Sequence, residues 1–100
     1  MTYVIFEVKK EDSGKILNTI IKDDLISRQS ITTRDASSLE IKGEATYLKI
    51  EGSGDALKKA EKIAKELGFK KLDKKKAKDV NAKIDAQEDS AASGIGMIFD

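Results

Sequence analysis

Residues 45–69 read ATYLKIEGSGDALKKAEKIAKELGF. The first six are β-branched, aromatic or alternating, the composition of a strand. Gly52-Ser53-Gly54 then breaks the extended run. From residue 55 to 67 the period changes from two to about 3.6. Leu57, Ala60, Ala64 and Leu67 fall on one helical face, with Ile63 beside them. Lys58, Lys59, Glu61, Lys62, Lys65 and Glu66 fill the other face. Gly68 stands where a left-handed C-terminal cap belongs, and Phe69 follows where a hydrophobic contact back onto the helix is common. A strand feeding directly into an amphipathic helix is half of a βαβ unit.

The glycine pair raises the question of a phosphate cradle. Such a cradle converges backbone N–H groups at a helix N-terminus. The dinucleotide fingerprint needs a third glycine where Leu57 stands, and the P-loop needs a Gly-Lys-Ser/Thr ending that is absent. Asp55 suits the helix dipole but repels phosphate. The pair therefore reads as a turn, with Ser53 or Asp55 as the N-cap.

Working outward, Lys42-Gly43 is a turn signal, and Ile31, Thr33, Leu39 and Ile41 share one parity upstream of it. This predicts a hairpin partner for residues 45–50. The stretch 34–38, RDASS, is poor strand material and reads as a loop splitting that strand or as a bulge. Residues 3–8, YVIFEV, form a first strand with apolar residues on both faces, the mark of a central position. Ile16, Leu17, Ile20, Ile21 and Leu25 predict a helix over residues 13–24, with Asp12 or Ser13 as its cap.

Past Phe69, FKKL suggests a short strand. Residues 80–86 alternate as a strand would, yet Ala77, Val80, Ile84 and Ala91 fit a helix, and Ala, Lys and Gln are poor strand formers. The helix is favoured, although lysines first and acids last oppose its dipole. Residues 94–99, GIGMIF, read as a final strand. The whole is one α+β domain over residues 1–100: a ferredoxin-like split βαβ core over 1–72, mainly antiparallel, with helices on one face. An additional lysine-rich segment and C-terminal helix or strand occupy 73–100.

Composition narrows the chemistry. The chain has 100 residues, 37% charged, yet its 19 Lys and Arg against 18 Asp and Glu leave a net charge of +1. Wholesale electrostatic capture of nucleic acid or membrane is excluded, but a local patch is not. With no Cys there is no disulfide or thiolate site, and with no His there is no imidazole ligand, triad or neutral-pH proton shuttle. No catalytic residue is assigned: Ser13 and Lys15 lie too close along the chain to indicate a dyad. No signal peptide or membrane-length apolar stretch is evident, so the expectation is a cytoplasmic protein without membrane contact. Abundant Lys, Glu and Ile fit a thermophilic source, while the absence of proline runs against one.

Three groups of residues are candidate sites. Asp12, Ser13, Gly14 and Lys15 form a strand-to-helix joint where a small ligand can approach the backbone. Lys70, Lys71, Lys74, Lys75, Lys76 and Lys78 put six lysines into nine positions, able to touch RNA phosphates in a salt-dependent way but without aromatic or arginine readout. Asp23-Asp24 and Asp85, Glu88 and Asp89 are oxygen donors for a hard cation, without calcium-loop spacing; no metal site or cofactor is assigned from them.

Two family resemblances follow. EDSGKILNTIIKDDLI, ITT and EATYLKIEGSGDALKKAEKIAKEL together resemble ACT-type regulatory domains over residues 3–72. That resemblance implies effector binding at the first strand–helix loop, here Asp12, Ser13 and Gly14, with Ser13 where the family usually has proline. KDDL, LEIKGEATYLKIEG and DAL also look like the small dimerising subunit of the KEOPS tRNA-modification complex. The expectation is a non-enzymatic ligand-sensing or regulatory module forming a homodimer, with an accessory subunit of an RNA-processing complex and a divalent-cation-binding protein as alternatives.

Overall fold

The computed structural model describes the backbone of residues 2–99 and the side chains of residues 2–87. β1 (Thr2–Lys9) leads through a 3₁₀ turn (Lys10–Asp12) into α1 (Ser13–Ile21) and α2 (Asp24–Ser27). β2 (Ser30–Asp35), a second 3₁₀ turn (Ala36–Leu39) and β3 (Ala45–Gly52) follow. α3 (Gly54–Leu67), β4 (Lys70–Lys71) and α4 (Lys74–Phe99) complete the chain. The sheet order is β2-β3-β1-β4 and every neighbouring pair is antiparallel. With helices joining β1 to β2 and β3 to β4, this is the ferredoxin-like arrangement.

The alternation of β1 builds two cores. Val4, Phe6 and Val8 point to one face, where they meet Leu48 and Ile50 of β3 and the buried stripes Ile16 and Ile20 of α1 and Leu57, Ala60 and Ala64 of α3. Phe6 is fully buried and meets Phe69 edge-to-face, ring centroids 5.2 Å apart. The Phe69 contact is thus carried by the turn that Gly68 permits: Gly68 has φ +79° and donates to the Ala64 carbonyl at 2.9 Å. Ile5 and Tyr47 point the other way, into a second core with Ala36, Leu39 and Leu72. Ala77, Val80 and Ile84 of α4 close this core, and Ile84 is fully buried. The connecting helices share one face as expected, and the additional C-terminal helix covers the other.

Several expectations need correction. The helix predicted over 13–24 is two helices. Asp23 has extended backbone, and its carboxylate accepts from the N–H groups of Leu25 at 3.0 Å and Ile26 at 3.1 Å, capping α2 instead of continuing α1. Neither Asp12 nor Ser13 caps α1 through its side chain; the Ser13 hydroxyl donates to the Lys10 carbonyl at 2.8 Å. Leu39 and Ile41 are not strand residues. The chain leaves β2 at Asp35, turns through Ala36–Leu39 and passes Glu40 with φ 59°, because this places Ala36 and Leu39 in the second core. Thr46 ties the two strands across that loop by donating to Asp35 at 3.0 Å.

The predicted final strand at 94–99 belongs to α4. Asp73 opens this helix by accepting from the Lys76 N–H at 2.8 Å, which offsets the unfavourable lysines of the first turn. No proline follows to stop it, and a nucleated helix propagates.

The Gly52-Ser53-Gly54 question is resolved by Gln29. Its amide oxygen accepts from the Ser53 N–H at 3.2 Å, and a Cβ on Gly52 would collide with that oxygen. Ser53 caps α3, its hydroxyl accepting from the Ala56 N–H at 3.3 Å. The pair turns the chain around a side chain, with Ser53 as the helix cap.

Candidate functional site

A cavity of about 890 Å³ opens where β1 ends, β3 begins and α3 turns into β4. Its apolar wall is Val8, Ile16, Leu67 and Phe69. Its rim carries both charges: Glu7, Glu11, Asp12 and Glu44 against Lys9, Lys10 and Lys70. The topology builds it. β3 starts opposite the last residue of β1, with Ala45 facing Lys9, and β4 is only two residues long, so the sheet corner is left unfilled beneath the 3₁₀ turn.

Of the four residues expected to bind a ligand, only Asp12 lines this cavity. Ser13 is engaged with Lys10, as above. A Cβ at Gly14 would meet nothing within 4 Å, so close approach does not require glycine there. Lys15 is exposed. Ile16 and Phe69 were legible only as core residues; their position at the mouth of a cavity depends on how short β4 is.

The lysine run does not present one face. Lys70 and Lys71 alternate across β4. Lys71 pairs with Glu61, and Lys76 lies 3.9 Å from Glu7. Lys74, Lys75 and Lys78 are exposed on the first turns of α4. Two of the six cations therefore already have acidic neighbours.

The acidic candidates are dispersed as well. Asp23 gives its oxygens to Leu25, Ile26 and the Lys59 ammonium, 2.8 Å away. Asp85 lies 3.8 Å from Lys49. The side chains of Glu88 and Asp89 lie outside the described residues. Among the described residues no three carboxylates form a metal-holding group. Among them, too, no helix is long and apolar enough to cross a membrane.

The bond to Lys59, then the backbone N–H groups, hold the Asp23 carboxyl below its ordinary value. A depressed carboxyl stabilises the fold above its unfolded pKa of about 3.9, and that contribution is lost as pH falls through the lower folded value. Comparing the melting temperature of Asp23→Ala with wild type should show the largest gap at neutral pH, closing progressively below about pH 4. A gap unchanged down to about pH 2.5 would show that the charge on Asp23 is irrelevant.

No family model matches the chain, and no curated protein or solved structure matches it either.

Proposed function

We propose that the protein is a non-enzymatic small-molecule-binding module of regulatory type, with its effector site in the cavity beside Asp12. The observation that carries this reading is the cavity itself: about 890 Å³, with an apolar wall and a rim of both charges, at the first strand–helix joint. That volume is within the range of natural ligand sites, and its seven charged lining residues beside an apolar wall suit a small polar or charged effector. The resemblance to ACT-type domains points to the same joint. The lysine run supports RNA binding less well, because acids already engage Lys71 and Lys76.

The homodimer belongs to the same proposal. β2 is an edge strand, so its outer backbone groups are available to a second copy. A thermal-shift panel of amino acids and nucleotides tests the effector. Binding at a hundred times Kd adds about 2.7 kcal/mol, which raises the melting temperature of a domain this size by about 10 °C or more. An effector should do so and should move the amide resonances of Asp12, Ile16 and Phe69. A panel that leaves both unchanged removes this reading.

A further inference from the structure

α3 and β4, the last strand of the sheet, leave a groove of about 430 Å³ between them at the sheet edge. Its floor is apolar: Ala64 and the half-buried Phe69, over the Phe6 ring. Lys58, Lys62 and Lys65 line its α3 wall. Their spacing of four and then three residues sets them in one rank along the helix. All three are exposed, and among the described residues none has a carboxylate within ion-pair distance. Like charges at this spacing repel, so the rank costs the helix stability that an anion beside it restores. The acid in the groove, Glu61, is already engaged by Lys71.

The strand side of the groove offers backbone. The Leu72 N–H donates to the Ile5 carbonyl at 2.9 Å, so Leu72 turns its backbone toward β1. Successive residues of a strand alternate in this respect. Lys71, opposite Phe6, therefore directs its N–H and carbonyl away from β1, to the side where the sheet ends. An unpaired edge of this kind accepts a further strand. Charge selects which strand. A second copy of this edge brings its own lysines against these and is repelled. An inorganic anion meets the lysines but leaves the strand edge and the apolar floor unused. An extended acidic chain uses all three features. Its same-face side chains recur every ~6.6 Å, close to the rise of about 6 Å from Lys58 to Lys62.

We infer that the groove between α3 and β4 binds an extended acidic segment of a partner protein, added to the sheet as a further strand beside β4. Lys71 supplies backbone hydrogen bonds. Lys58, Lys62 and Lys65 take the acidic side chains, and an apolar side chain between them rests on Ala64 and Phe69. Phe69 borders both this groove and the cavity beside Asp12, but the two sites share no lysine.

The test is an NMR titration of the full chain with a capped nonapeptide in which glutamate and threonine alternate and valine replaces the central glutamate. Saturable shifts are expected at Lys58, Lys62 and Lys71. The analogue with lysine in place of glutamate should cause none. Methylating the peptide's backbone nitrogens should weaken binding about tenfold by removing its donors. Reversing two charges together, Lys58→Glu with Lys62→Glu, should also weaken it about tenfold. Both side chains are exposed, and amide dispersion verifies that the variant folds. Equal binding by the methylated peptide would overturn the added strand in favour of plain anion adsorption. Equal shifts with oligouridylate would overturn the protein partner in favour of single-stranded RNA. Shifts confined to Asp12 and Ile16 would support the effector cavity and overturn this groove. An acidic peptide that gives no saturable shift anywhere overturns it as well.

Discussion

Replacing Phe6 by alanine should cost about 3–5 kcal/mol of unfolding free energy. The ring is fully buried at the centre of the larger core, between the α1 and α3 stripes and the edge of Phe69. The sheet fixes its backbone on both sides, with Leu48 opposite it on β3 and Lys71 on β4, so the void cannot collapse easily. Domains of this kind are stable by about 5–15 kcal/mol in total, so the variant should sit near the edge of folding. Each kilocalorie shifts the melting temperature of such a domain by about 4–8 °C, and thermal unfolding followed by circular dichroism measures it. A drop smaller than about 1 kcal/mol would contradict the packing described, since cavities of this size cost more. A double-mutant cycle with Phe69→Leu isolates the edge-to-face contact, expected at about 0.5–1.5 kcal/mol.

The second large effect is expected at Ile84→Ala, about 2–5 kcal/mol. Ile84 is the deepest point at which α4 enters the second core, beside Ile5, Tyr47 and Leu72. The form of the transition matters as much as its midpoint. If α4 belongs to the cooperative unit, the variant unfolds in one step at a lower denaturant concentration with its slope unchanged. A helix that docks loosely would instead melt in a separate earlier step, and the substitution would leave the main transition in place. Arg34 and Gln87 add a polar tie between β2 and α4, at 3.1 Å, on the same side of the sheet.

Much of this architecture is written locally. The strand at 45–50, the Ser53 cap, the apolar stripe of α3 and the Gly68 turn follow from neighbours along the chain. Side-chain period, capping chemistry and left-handed backbone are short-range properties. The break at Asp23 was also local, but the apolar stripe Ile16 to Leu25 ran through it. Periodicity reports which residues want burial and is silent on whether one helix or two supplies them.

The candidate sites were legible only in part. Asp12 could be named from its place before a helix, whereas the cavity beside it exists because β4 stops after two residues. Lys49 lay in plain sight within ATYLKI, on the parity of Ala45 and Tyr47. A lysine there reads as a solvent-facing residue while that sheet face is taken to be open. It becomes a largely buried lysine, ion-paired with Asp85, once α4 folds back over the sheet.

Local sequence set the succession of strands and helices as far as α3, apart from the break between α1 and α2, together with the two-sided apolar character of β1 and the ferredoxin-like class, because these rest on patterns within about a dozen residues. Only the tertiary structure decided that α4 closes a second core and that Lys49, Asn81 and Asp85 meet across it. Lys49 is far from both helix residues along the chain, and what brings them together is the burial of Ala77, Val80 and Ile84 against the sheet, a long-range packing energy that no local window contains.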